Sequence, residues 1–191
     1  MVETTALIAR PRATAIVTEA RRILDTEGRE GLTMRRLGEA VGIRAPSLYR
    51  HFRDKAAVEA ALMDTGFDEL RAAIDAGFAR DGESLVTLGG VFREFAQSQP
   101  HLYRLLTTGR LPRERLRPDV ESRAAAPLMR VARGDTDLAR SIWAFAHGMV
   151  ILELDGRFPP GADLDAAWAA GLAAFASIIP VNTQAEVEAD Q

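Results

Sequence analysis

Cysteine is missing from all 191 residues, and that absence removes disulfides, thiolate metal sites and a thiol nucleophile together. A cytoplasmic setting suits such a chain. The opening MVETTALIAR has neither the basic region nor the apolar core of a secretory leader, so no export is expected. Lysine occurs once, as Lys55. No alternating, strand-like run is present, which points to an all-α chain. No apolar run reaches the ~20 residues of a bilayer span, so no membrane role is expected.

Catalytic constellations are missing as well. His51, His101 and His147 are scattered, and neither an H-E-x-x-H, a G-x-S-x-G nor a glycine-rich phosphate loop after a strand occurs. The sequence therefore gives no reason to expect an enzyme, a metal or a cofactor.

An overall positive charge is also lacking, since the chain carries a net charge of -3. The average conceals a division. Residues 1–55 hold 11 Arg or Lys against 7 Asp or Glu, whereas residues 56–191 hold 13 against 20. A basic front and an acidic back would concentrate any polyanion at the front.

In that basic front, Ile16, Ala20, Ile23 and Leu24 follow the spacing of a helix with one buried face, closed by Gly28 and Gly31. Thr33 suits the N-cap of a second helix, with Leu32 and Leu37 as a hydrophobic staple. Leu37, Ala40 and Val41 make its buried stripe, and Gly42 suits its C′ position. Pro46 opens a short third helix over about residues 46–52, anchored by Leu48 and Phe52. Pro46, Ser47 and Arg50 then face away from those anchors, flanked by Tyr49 and His51. Two short helices around a glycine turn form a helix-turn-helix of a size that enters the DNA major groove. The candidate base-reading residues are Ser47 and Arg50, with Pro46 beside them in the candidate DNA-binding set. Thr33, Arg35, Arg44, Tyr49, His51 and Lys55 complete the candidate DNA-binding set. Arg10 and Arg12 precede it as possible phosphate contacts.

A linking helix runs from Asp54-Lys55 to about Asp81-Gly82. Further helices are expected at 84–97, 100–107, 120–133, 135–154 and 163–179, separated by Gly and Pro punctuation. Ile142 to Leu152 is apolar on every side except His147, and Trp168 to Ile179 on almost every side. Such helices must be covered all round. Ala146, Gly148, Ala170 and Gly171 would permit close approach, so the helices at about 135–154 and 163–179 are expected to pair with those of a second copy. Phe67, Phe92, Phe95, Tyr103, Leu106, Trp143 and His147 are candidates for the walls of a largely apolar effector pocket. Residues 181–191 read as an acidic, disordered tail.

LTMRRLGEAVGIRAPSLYRHFRDKAAV, residues 32–58, resembles the helix-turn-helix of the TetR family of transcriptional regulators. Pro46-Ser47-Leu48-Tyr49 with His51 is most similar to its tetracycline-repressor branch. Ile142-Trp143-Ala144-Phe145-Ala146-His147-Gly148, with Leu152-Glu153 and Phe158, is similar to a C-terminal effector domain of that family. The resemblance implies an all-helical homodimer with a reader at about 11–55 and an effector-binding and dimerisation part at about 56–180. It also implies base or phosphate contacts from Arg35, Ser47, Tyr49, Arg50 and His51, and a phosphate contact from Lys55. Ala45 departs from the family pattern, because many relatives carry a polar residue there. The expected function is a ligand-responsive repressor that binds a palindromic operator. The alternative is an architectural DNA-binding protein without an effector.

Overall fold

Glycine and proline set the helix ends, and the helices follow the expected periodicity closely. The computed structural model describes residues 3–179, and side chains from residue 12 onward. The segment read as a tail and the side chain of Arg10 lie outside the described residues. Among the described residues there are nine α-helices and one short 3-10 turn, with no strand. They are α1 (Glu3–Gly31), α2 (Met34–Ala40), α3 (Ala45–His51), α4 (Lys55–Asp81), α5 (Leu85–Ser98), α6 (Pro100–Thr107), α7 (Val120–Val131), α8 (Thr136–Leu154) and α9 (Leu164–Ala176), the 3-10 turn covering Arg113–Arg115. The all-α class is confirmed. No helix among them is long and apolar enough to cross a membrane.

The chain divides into two units. One holds residues up to 72 together with 95–124, and the other holds 73–94 together with the residues from 125 onward. Helices α4, α5 and α7 each begin in one unit and end in the other.

In the first unit α1 packs against α2 and α6. Ile16, Ala20, Ile23 and Leu24 are buried, as their spacing requires. Gly28 has φ 71° and ψ -176° within the span of α1, a region essentially restricted to glycine. A Cβ there would stand 3.3 Å from the His101 ring, so α6 adds a steric reason to the conformational one. The carboxylates of Asp54, Asp64 and Asp68 receive Arg115, Arg117 and Arg123 from the stretch between α6 and α7 and from α7 itself. Sequence periodicity shows nothing of these pairs.

Pro127 lies inside α7 and supplies no N–H to the carbonyl four residues earlier. That carbonyl, of Arg123, instead accepts from Nη1 of Arg71 at 2.8 Å.

In the second unit α8 packs on α9. Asp135 and Asp163 are their N-caps, each accepting amide hydrogen bonds, so these helices start one residue later than expected. The Glu153 carboxylate joins three helices. It accepts from Nε of Arg93 at 3.0 Å and from the Trp168 indole N–H, while the Arg93 guanidinium lies 5.7 Å from the Trp168 ring centroid.

One expectation about close approach is corrected. A Cβ on Gly171 would meet the Phe145 ring at 2.1 Å, so this glycine serves α8–α9 packing within the chain. Ala146 is likewise buried in its own chain. Gly148 and Ala170 keep an open side.

Candidate nucleic-acid interface

The reader is built from its caps. Thr33 accepts the Arg36 amide at 3.1 Å in the N-cap role its hydroxyl suits, which contributes ~1 kcal/mol. Leu32 and Leu37 are both buried, as the staple requires. At the other end of α2, Ile43 N–H donates to the Gly38 carbonyl at 3.0 Å and Gly42 N–H to the Glu39 carbonyl at 3.2 Å. That is the Schellman arrangement, and Gly42 supplies its positive φ of 66°.

The buried side of α2 is narrower than expected. Leu37 and Gly38 are buried, but Ala40 and Val41 are only partly covered. Gly38 takes part because a Cβ there would lie 3.3 Å from the Ile43 carbonyl oxygen. Helix α3 starts at Ala45 and has Arg44 as its N-cap, without a side-chain capping bond. Leu48 anchors it at 0% exposure, while Phe52 is the C-cap with extended backbone and only partly buried. One anchor therefore carries most of the hold on α3.

Arg44, Ala45, Pro46, Tyr49 and Arg50 are exposed, and Ser47 and His51 are partly so. Arg50 donates from Nη2 to Ser47 Oγ at 3.1 Å, which links the two residues expected to read bases. Arg35 is 84% exposed and pairs with Glu39 at 2.9 Å. Met34, Arg35, Gly38, Glu39, Ile43, Ala45 and Tyr49 enclose an open hollow between α2 and α3. Arg12 is exposed ahead of them.

Lys55 sits differently from a free surface lysine. Its Nζ donates to the Arg29 carbonyl at 2.8 Å and lies 3.7 Å from Glu59. Glu59, with 9% side-chain exposure, also takes a two-pronged contact from Arg29, both bonds at 2.9 Å. One covered carboxylate thus gathers two cations where α1 ends and α4 begins. Just before it, the Ala57 amide and then the Arg115 guanidinium hold the Asp54 carboxyl below the ordinary carboxylate range. Burial of Glu59 marks this junction, and no local motif in the sequence points to it.

The pocket candidates are dispersed between the units. Phe67, Phe95, Tyr103 and Leu106 belong to the first, and Phe92, Trp143 and His147 to the second. Phe95, Tyr103 and Leu106 are buried, with Tyr103 at 0% exposure. Trp143 is 47% exposed and stacks on His147 with ring centroids 5.8 Å apart.

Residues 16–62 match the family described as bacterial regulatory proteins, tetR family, and residues 85–175 match the tetracyclin repressor-like C-terminal domain. An uncharacterized HTH-type transcriptional regulator of Mycobacterium tuberculosis, Rv0681, is 30% identical over an alignment of 165 residues that covers 78% of this chain and 74% of the relative. The tetracycline repressor protein class C of Escherichia coli is 44% identical over 50 residues, 26% of this chain and 23% of that one. The crystal structure of the putative regulatory protein SCO4313 has a TM-score of 0.71 at 22% identity, covering 89% of this chain and 97% of the other. The reader's geometry, the two family matches in chain order and the long relative agree, and the chain belongs to the TetR family of transcriptional regulators.

Proposed function

We propose that the protein is a ligand-responsive repressor that binds a palindromic operator as a homodimer. The observation that carries this reading is the reader itself. Helix α3 is held from behind by Leu48 and presents Ser47, Tyr49, Arg50 and His51 outward, with Arg35, Arg44 and Lys55 alongside. Paired copies would enter successive major grooves about 34 Å apart. Thr33 contributes by fixing the start of α2, and Pro46 by occupying the first turn of α3.

Support for the homodimer comes from α8 and α9. Trp143 and Leu152 are exposed at 47% and 41%, and Ala166, Ala167, Ala169, Ala170, Ala173 and Ala174 are exposed along α9. An apolar surface of this extent on two neighbouring helices calls for a partner. A second copy would cover it, and Trp143 and His147 would then lie at or beside the interface.

The match of residues 85–175 to a repressor-like C-terminal domain supports a small-molecule effector and weighs against a purely architectural role. The effector would be largely apolar, walled by residues such as Phe95, Tyr103 and Leu106. It would act by favouring a spacing of the two readers that the operator does not accept. The setting would be cytoplasmic.

The test combines selection from random duplexes with a gel shift at several salt concentrations, followed by a thermal-shift screen of apolar metabolites. The reading requires one enriched palindrome, affinity that falls steeply with salt, and a compound that raises the melting temperature while releasing DNA. A chain that selects no sequence is not a repressor of this kind.

A further inference from the structure

The hollow between α2 and α3 is the part of the reader that its hydrogen-bonding residues leave unexplained. Met34, Gly38, Ile43, Ala45 and the Tyr49 ring form its walls, and Arg35 and Glu39 stand at its rim. The rim residues bond to each other, Arg35 Nη1 donating to Glu39 Oε1 at 2.9 Å. Ala45 and Pro46 are both exposed, and neither side chain has a donor or an acceptor. They cannot read the hydrogen-bonding edges of bases.

Major-groove edges offer one apolar handle, the 5-methyl group of thymine; the other distinguishing features are hydrogen-bond donors and acceptors. Gly38 keeps α2 close to the turn and to α3, since a Cβ there would stand 3.3 Å from the Ile43 carbonyl oxygen and 3.8 Å from the Leu48 side chain, and the open hollow, about 280 Å³, has room for the methyl-bearing edge of a base. We propose that this hollow reads thymine. The 5-methyl group of one thymine in each half-site packs on Ala45, with Met34, Ile43 and the Tyr49 ring around it. The inference rests on α3 being the groove-entering helix, and it deepens that reading by naming a base. Cytosine at the same place leaves the apolar walls facing a bare C5–H edge.

The experiment uses the full chain and the duplex it selects from a random pool. Each thymine of that duplex is replaced in turn by uracil, which deletes the methyl group and leaves base pairing intact. At one thymine per half-site the exchange weakens binding by about fourfold, the value expected for one buried methyl-sized group. The same exchange costs the Ala45→Gly variant less than about twofold, because its methyl partner is gone. A flat scan in the parent chain overturns the proposal, and so does a penalty that persists unchanged in Ala45→Gly. The scan needs only the parent chain, so a poorly folding variant does not shelter the idea. Failure to select any sequence defeats the regulator reading itself, whereas a flat scan on a selected duplex defeats the hollow alone.

Discussion

Arg50 and Lys55 carry the same charge and do different work. Arg50 projects from α3 and is steadied by Ser47, so Arg50→Ala is expected to lower specific affinity by ~1–3 kcal/mol and to relax base preference at one position. Lys55 holds the end of α1 through the Arg29 carbonyl and still has further N–H donors for a phosphate. Lys55→Ala should weaken specific and non-specific binding alike, reduce the salt slope by ~1 and lower the melting temperature. Gel shifts across a salt series read both effects. A lysine that serves only the fold would lower the melting temperature and leave the slope unchanged.

His147 is the third residue with a measurable signature. Burial holds its imidazole below the ordinary histidine value. An unfolded chain therefore takes up this proton first as pH falls. The contribution to stability is complete above the unfolded value of about 6.5 and is lost as pH falls from there through the folded value. Melting the parent beside His147→Gln between neutral and mildly acid pH should show the larger acid loss in the parent. Parallel curves would show that proton uptake at His147 does not differ between folded and unfolded chains.

At the scale of elements, α8 and α9 present two kinds of small residue that look alike in the sequence. Gly171 faces Phe145 inside the chain, whereas Ala170 faces outward. Ala170→Glu is expected to give folded monomers, or a much weaker dimer, by burying unpaired charge at the pairing surface. Gly171→Glu should unfold the α8–α9 pair, because even a Cβ meets the Phe145 ring at 2.1 Å. Sedimentation and helical circular dichroism separate the two outcomes. An unchanged dimer in Ala170→Glu would remove α9 from the interface.

At the scale of the whole molecule, folding and pairing should be linked. If a second copy covers α8 and α9, the melting temperature must rise with protein concentration, since association stabilises by mass action. A melting temperature independent of concentration, together with a monomer in sedimentation, would refute the homodimer. The division of charge makes a related demand. The acidic back, net negative beyond residue 55, should confine DNA to the front, so binding should fall steeply with salt.

Much of this protein could be read from local chemistry. The first-helix stripe, the Thr33 cap and the Gly42 terminus depend on residues a few positions apart, and short-range spacing determines them. The outward set on α3 follows from the same geometry once Leu48 is buried. Tertiary structure decided what depends on residues far apart in the chain. It placed Lys55 on the end of α1 beside the covered Glu59, tied Arg115 to Asp54 and Arg117 to Asp64 and Asp68, and turned Gly171 inward while leaving Ala170 outside. It also reduced Phe52 from an anchor to a half-covered cap. Periodicity identifies which face of a helix is apolar, but burial and partner depend on which distant element arrives there, and that is settled only when the chain packs.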